Sequence, residues 1–194
     1  VNGLGEVRVA VPADAADAAT RILRDYRAGD DSAPATRIRD EFEALQEAAG
    51  YRFRDRGILE HALTHRSRAN EDVTGGVIDN ESLEFLGDAV LGFVVAELLF
   101  RRYPDRDEGE KSKMKAALVS THALARRAAS LGLGEHLLLG RGEEKSGGRR
   151  KRALLADGYE ALIAAVYLDG GVEAVRAFIV REVEPLLDDV AGAV

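Results

Sequence analysis

The stretch NESLEFLGDAVLGFVVAELLF, residues 80–100, places acidic side chains in one of the most apolar segments of the chain. Glu81, Glu84 and Asp88 stand at positions i, i+3 and i+7, which share one face of an α-helix. From Ala89 onward AVLGFVVA is apolar on all sides, which predicts a helix buried at the centre of a domain. Carboxylates beside such a core are desolvated and repel one another, costs that cations, hydrogen bonds or a metal ion normally offset. A solvated acidic edge is the alternative, and a divalent-metal site is the leading hypothesis.

A second apolar segment, ALLADGYEALIAAVYLDGG at residues 153–171, carries Asp157 and Glu160 at i, i+3 on one helical face. If the two helices are buried side by side, their acidic faces form one all-oxygen site. Such a site suits Mg²⁺ or Mn²⁺ rather than zinc or copper. A di-iron carboxylate site is the competing hypothesis, but it needs Glu-x-x-His pairs, and neither Glu84 nor Glu160 has a histidine at +3.

Six stretches of the chain, in this order, resemble the ribonuclease III endonucleases, which cleave double-stranded RNA. The stretches are GYRF (50–53), ILEHALTHRS (58–67), NESLEFLGDAVLG (80–92), YPDRDEGEKSKMKAALVS (103–120), LGRGEEKSGGRRKR (139–152) and LLADGYEALIAAVYLDGG (154–171). Together they cover about residues 38–190, and the combination of motifs is specific to the family.

By this resemblance the acidic residues share one metal site. The implied metal ligands are Glu84, Asp88, Asp157 and Glu160, with Asp88 and Glu160 as the central catalytic acids. Glu81 and Glu108 match further acidic positions that line the family's cleft. The implied cofactor is Mg²⁺, for which Mn²⁺ can substitute, and we expect no small-molecule cofactor.

The implied chemistry is hydrolysis of RNA. Metal ions can lower the pKa of an in-line water and neutralise charge on the phosphate oxygens, and two ions about 4 Å apart would serve both tasks. The expected products have 5′-phosphates and short 3′ overhangs, in rRNA and mRNA processing, and A-form RNA would be recognised by its shape, phosphates and 2′-hydroxyls. Two other classes stay open: a catalytically silent relative that binds RNA or a ribosome-like partner, and a helical interaction domain with incidental acids.

A homodimer is expected as well. Phe85 and Leu86 stand between Glu84 and Asp88, so a bulky apolar pair must lie next to the acidic face. The resemblance implies that the signature helices of two subunits pair across a two-fold axis. An isologous contact in which each Phe85 enters a pocket of the partner would bury this surface.

Two basic clusters are candidates for contact with RNA. One is the run RRKR, which follows Ser-Gly-Gly in a predicted mobile loop and ends just before the second acidic helix. Its members are Arg149, Arg150, Lys151 and Arg152. The other comprises Lys111, Lys113 and Lys115 in a predicted helix. Such runs are often only solvated surface, but the position of RRKR beside the acids favours phosphate binding.

The body of the chain, residues 35–194, predicts an all-α fold, with Asn80 as the N-cap of the central helix. Residues 1–34 predict a short strand, a helix and a linker that form an appendage of unknown role. His61 and His65 stand at i, i+4 without the glutamate of an HExxH zinc motif, so they are predicted to be structural. Near the end, Val172, Val175, Phe178 and Ile179 are predicted to face inward, with a boundary at Pro185.

Composition sets broad limits on the 194-residue chain. It has no cysteine, so disulfides and thiolate metal sites are excluded. Neither a signal peptide nor an apolar run of membrane-spanning length is visible, which favours a cytoplasmic protein without a membrane partner. Its net charge of −7 still allows RNA binding through local basic clusters, because screening limits their reach to about 8–10 Å.

The chain also departs from the pattern of the family it resembles. It ends at Val194, where bacterial members usually continue into a double-stranded RNA-binding domain, so we expect a catalytic-domain fragment or a minimal member with weak, salt-sensitive RNA affinity. Ser82 replaces a common basic residue and Arg68 an aromatic one, while Gly158 and Tyr159 replace the usual pair between the last two acids. None of these changes removes a predicted ligand.

Overall fold

The computed structural model describes residues 41–193, and the strand–helix appendage predicted for residues 1–34 lies outside the described residues. Within 41–193 the fold is all-α, as predicted, and contains no strand. A single isolated parallel bridge joins Thr64 to Leu138 in this part of the chain.

The helices follow one another with short connections. In chain order they are α1 Glu43–Ala49, α2 Arg56–Leu63, α3 Arg66–Ala69, α4 Glu81–Arg102, α5 Glu108–Leu118, α6 Thr121–Ser130, α7 Leu133–His136, α8 Arg141–Lys145, α9 Arg152–Val183 and α10 Leu187–Gly192. Two 3₁₀ turns, Gly148–Arg150 and Glu184–Leu186, precede α9 and α10.

Helices α4 and α9 form the centre of the described domain. In α9 the run from Ala161 to Val166 is buried at every position, and in α4 the side chains of Leu91, Val95 and Leu99 are buried against the same core. Helices α2 and α6 also pack on α9. Of the two segments whose apolar character predicted burial, α9 is enclosed by the rest of the domain, as predicted. Helix α4 is buried on one side only, because Ala89, Phe93 and Ala96 are exposed, so the prediction that the run AVLGFVVA is buried on all sides is wrong.

The long helix α9 is interrupted at Gly171, which has φ 80° and lies where the sequence predicts the second acidic helix to end. After this break Val175, Phe178 and Ile179 are buried, as predicted. Val172 is 44 % exposed, so the prediction that it faces inward is wrong. The residue follows the break directly, before the helix has turned its apolar face to the core. Pro185 lies in the 3₁₀ turn that ends α9, as expected for a boundary residue.

Asn80 occupies the N-cap position of α4, but its side chain makes no capping hydrogen bond, so this part of the prediction is wrong. The buried Nδ2 instead donates to the carbonyl oxygen of Ala62, at 3.0 Å. The backbone N–H of Asn80 donates to the carbonyl of Thr64, at 2.9 Å. Asn80 therefore fastens the start of α4 to the end of α2, which fixes where the acidic first turns of α4 begin.

Among the residues described, no helix combines the length and the apolar character needed to cross a membrane.

Candidate metal centre

Three acidic side chains from the two central helices converge. Glu84 in α4 and both Asp157 and Glu160 in α9 each offer a carboxylate oxygen, and these oxygens lie within 4.8 Å of one another. All three residues are partly buried. Among the carboxylate and histidine side chains of residues 41–193, these three form a group whose geometry could hold a metal ion. The donors are all oxygens, which matches the preference of Mg²⁺ and Mn²⁺.

The convergence depends on a close approach of the two helix backbones. A Cβ atom added to Gly87 of α4 would overlap the carbonyl oxygen of Glu160, well under the 3.0 Å that real Cβ contacts keep. Glu84 lies three residues before Gly87 and Asp88 one residue after it. The glycine therefore lets α9 come near enough for carboxylates of both helices to share one volume.

Burial and mutual repulsion perturb the acids. Burial is the largest cause that raises the pKa of Glu160 to about 7, and the nearby carboxylates of Asp88, Glu84 and Asp157 raise it further. Burial also raises the pKa of Glu84, with added repulsion from Asp157, Glu81 and Asp88. A set of acids that resists ionisation in this way favours a bound cation, which would relieve the repulsion.

Asp88 lies beside this group without being part of it. Its charge contributes to the raised pKa values of both Glu160 and Glu84, but the side chain is exposed and its oxygens are not among those within 4.8 Å. The ligand role predicted for Asp88 thus remains a prediction.

The two secondary acids are farther out. Glu81 is exposed in the first turn of α4, where its carboxylate lies 3.5 Å from the guanidinium of Arg66. Glu108 is exposed at the start of α5 and accepts a hydrogen bond from the hydroxyl of Ser112, at 2.6 Å. Neither belongs to the converging group.

One face of α4 is apolar and open. Phe85, Phe93 and Phe100 are 80 %, 57 % and 72 % exposed, and their spacing of eight and seven residues keeps them on one side of the helix. Phe85 follows Glu84 directly, so this side begins at the edge of the acidic group.

Comparison with known proteins supports the family and the fold. Residues 55–186 match the Ribonuclease-III-like family. This chain belongs to that family. It is 52 % identical to Ribonuclease 3 of Geobacter metallireducens over 80 % of the chain and 63 % of that protein. It is 54 % identical to Ribonuclease 3 of Syntrophobacter fumaroxidans over 72 % of the chain and 58 % of that protein.

The chain therefore spans about three fifths of the length of the curated relatives it matches. A solved structure, the nuclease domain of ribonuclease III from Campylobacter jejuni, superposes with a TM-score of 0.69 at 41 % identity. That comparison covers 74 % of this chain and 96 % of the other, so the nuclease domain is the part of the family's architecture that is shared.

The sequence did not single out His65 as a neighbour of the acids in this ribonuclease-III-like chain. Burial raises the pKa of Asp157, and the nearby His65 side chain counteracts this rise. Its Nδ1 accepts a hydrogen bond from the backbone N–H of Ser67, at 3.2 Å, and so caps α3. The hydroxyl of Ser67 in turn accepts from the N–H of Gly140, at 2.9 Å. The ring thus caps a helix, in line with the structural role predicted, and it also acts on Asp157 of the acidic group.

The residues around the RRKR run form regular secondary structure, where the sequence predicted a loop. Arg141–Lys145 form α8, Gly148–Arg150 form a 3₁₀ turn, and α9 begins at Arg152. Gly147 adopts φ 78° between these elements, which is a conformation that favours glycine. The four basic side chains differ in their contacts with the rest of the domain.

Proposed function

We propose that this domain is a metal-dependent endoribonuclease that hydrolyses phosphodiester bonds of double-stranded RNA. The observation that carries the proposal is the convergence of three carboxylate oxygens within 4.8 Å, in a chain of the Ribonuclease-III-like family. A helical domain with incidental acids would have no reason to bury such a group at the contact of its two central helices.

The proposed cofactor is Mg²⁺, with Mn²⁺ as a substitute. Glu84, Asp157 and Glu160 would hold it, with Asp88 at the exposed side of the group. The bound ion would lower the pKa of a water and neutralise charge on the phosphate oxygens. For this the chain must supply ionised carboxylates, so Glu160 has to release the proton that its raised pKa favours. The packing of α4 against α9 keeps the oxygens converged.

The proposed substrate is a duplex, as the resemblance to ribonuclease III implies. Exposed basic side chains would bind its phosphates, because the deep major groove of A-form RNA is closed to side chains. Cleavage would yield 5′-phosphates and short 3′ overhangs and would serve rRNA and mRNA processing. Two copies of the chain would pair through the exposed face of α4, with Phe85 at the contact. Each copy would then cut one strand. The cytoplasm stays the predicted location.

The variant Glu160→Gln tests this function. The amide keeps the size of the side chain but removes a full ligand charge, so we expect near-complete loss of cleavage of duplex RNA in Mg²⁺ with an unchanged far-UV circular dichroism spectrum. Glu81→Gln is the matched control on α4. Its carboxylate lies outside the converging group, so its loss should be milder. A Glu160→Gln protein that cleaves duplex RNA at the wild-type rate would overturn the proposal.

A further inference from the structure

The four basic residues at 149–152 divide into two pairs by their contacts. Arg149 directs one nitrogen, Nη1, at three backbone carbonyl oxygens, those of Gly134, Glu135 and Leu137, at 3.0, 2.8 and 2.9 Å. Its Nε donates to the carboxylate of Glu144, at 2.7 Å. The N–H groups on Nη1 and Nε of Arg149 are therefore already used and cannot donate to a phosphate.

The contacts of Arg149 fasten two parts of the domain together. Helix α7 has only four residues, and the carbonyl groups at its end need partners from elsewhere. The backbones are also in close contact, since a Cβ added to Gly134 would overlap the carbonyl oxygen of Arg149. The guanidinium therefore holds the turn before α9 against the end of α7.

Lys151 is similarly engaged. Its Nζ lies 2.5 Å from a carboxylate oxygen of Glu143 and 2.9 Å from the hydroxyl of Ser146. The hydrogen bond from Lys151 is the main reason why the pKa of Glu143 is lowered. Glu143 lies in α8 and Ser146 follows that helix directly. Lys151 therefore links the basic run to the segment that precedes it in the chain.

Arg150 and Arg152 differ from this pair. Both are exposed, and neither side chain forms an ion pair or a hydrogen bond to any of the residues that the structure describes. Arg150 lines an open cavity of about 300 Å³ that it shares with Arg149, Glu135 and Leu155, so the lack of a partner, and not the cavity, separates the two arginines. An arginine without an internal partner can bind a phosphate with two parallel hydrogen bonds and breaks no existing ion pair to do so.

We propose that Arg149 is a positioning residue and that Arg150 and Arg152 are the residues of this run that contact RNA phosphates. The inference rests on the proposed duplex-RNA function and deepens it. Lys151 acts with Arg149, since both anchor the run. Arg149 sets the place of the run beside the acidic helix α9, while the two exposed guanidinium groups supply its charge to the substrate.

Substitution by lysine separates the two roles because it keeps the charge and changes the geometry. Binding of a short RNA duplex is measured without divalent metal, so that no strand is cut, over a series of salt concentrations, and Tm is measured in parallel. For Arg149→Lys we expect a Tm lower by several degrees and weaker RNA binding, although the net charge is unchanged. For Arg150→Lys and Arg152→Lys we expect a wild-type Tm and a wild-type salt slope, with binding weakened only by the loss of the paired hydrogen bonds that a guanidinium makes to phosphate.

The double variant Arg150→Ala/Arg152→Ala tests the contacts directly. Its Tm should equal that of the wild type, while the slope of log K against log salt should shrink by about 1 for each lost contact. A wild-type slope in this variant would overturn the assignment of the two contacts. A wild-type Tm in Arg149→Lys, together with a reduced slope in Arg149→Ala, would make Arg149 a phosphate ligand and overturn its positioning role.

The result for the unaltered protein distinguishes this inference from the proposed function. If the wild type binds the duplex and only the pattern of the variants differs from that expected, the inference fails and the duplex-RNA function stands. If the wild type does not bind the duplex even at low salt, the proposed substrate fails, and the phosphate contacts of Arg150 and Arg152 fail with it.

Discussion

The backbone of α4 at Gly87 lies against the backbone of α9 at Glu160, closer than any side chain would allow. The carbonyl oxygen that a Cβ would meet belongs to a rigid helix, not to the end of a flexible side chain, so it cannot move aside cheaply. Glu84 precedes this contact by one turn and Asp88 follows it directly. The separation of the two helices therefore also sets the separation of their carboxylates.

The variant Gly87→Ala should damage the metal centre through the fold. The added methyl group forces α4 and α9 apart, which should destabilise the domain by about 1–3 kcal/mol, as overpacking of a core commonly does. Because the carboxylates move with the helices, Mg²⁺ affinity and cleavage should fall more than the loss of stability explains. Calorimetric titration with Mg²⁺ at a temperature where the variant is folded measures this.

Gly92→Ala is the matched control for Gly87→Ala, since it adds the same methyl group to the same helix. There the Cβ would meet only the end of the Lys115 side chain, at 3.4 Å, which can move. Alanine also favours helix by up to about 1 kcal/mol relative to glycine. Gly92→Ala should therefore be neutral or stabilising and should keep activity. Equal Mg²⁺ affinity in both variants would refute the role given to the Gly87 contact.

Protonation of Glu160 predicts a pH dependence in the metal-free protein. The folded state raises the pKa of this group from 4.5 to about 7, so the folded protein holds a proton that the unfolded chain releases. The resulting stabilisation is full below pH 4.5 and is lost as pH rises through about 7. Without metal, Tm of the wild type should fall across this window, and Tm of Glu160→Gln should fall less.

Mg²⁺ should reverse this trend, because it binds the ionised carboxylates and competes with the proton. Its affinity should rise with pH, by at most about tenfold per unit below the pKa of Glu160. Thermal unfolding of wild type and Glu160→Gln, each with and without Mg²⁺ at several pH values, gives both curves. Identical pH profiles for the two proteins would show that Glu160 does not carry the effect.

The acidic residues of the site could be predicted from sequence because helical periodicity fixes which side chains share a face. The spacing of Glu81, Glu84 and Asp88, and of Asp157 and Glu160, contains that information without any tertiary contact. The depth of each residue in the site was not predictable, since it depends on how α4 and α9 cross. The crossing makes Glu84 a member of the converging group and leaves Asp88 exposed.

Long-range contacts account for the other differences. A run of four basic residues has no periodic signal, and the carbonyl acceptors that engage Arg149 lie in a different segment, at residues 134–137. Asn80 is a favourable N-cap by type, but the carbonyl of Ala62 is within its reach and engages its side chain instead. Arg127 is only 5 % exposed, with Nη1 donating to the carbonyl of Leu118, an acceptor nine residues away in the chain.

The exposed apolar face of α4 predicts that the protein forms a dimer. Three phenylalanines on one side of a helix form a surface that water solvates poorly, and an isologous contact between two copies would cover it. Phe85→Asp places a charge at the end of this face nearest the acids. We expect the wild type to sediment as a dimer and Phe85→Asp to sediment as a monomer with an unchanged helical content.

The cutting pattern should change together with the assembly. On the proposed function, a dimer would carry two metal centres and could cut both strands of a duplex in one binding event, which gives paired, staggered ends, whereas a monomer could only nick. Val73→Asp is the control, because Val73 is fully exposed in the loop before α4 and lies off the phenylalanine face, so this variant should stay dimeric and make paired cuts. A wild type that is monomeric yet makes paired, staggered cuts would refute the arrangement, as would a Phe85→Asp protein that remains a dimer.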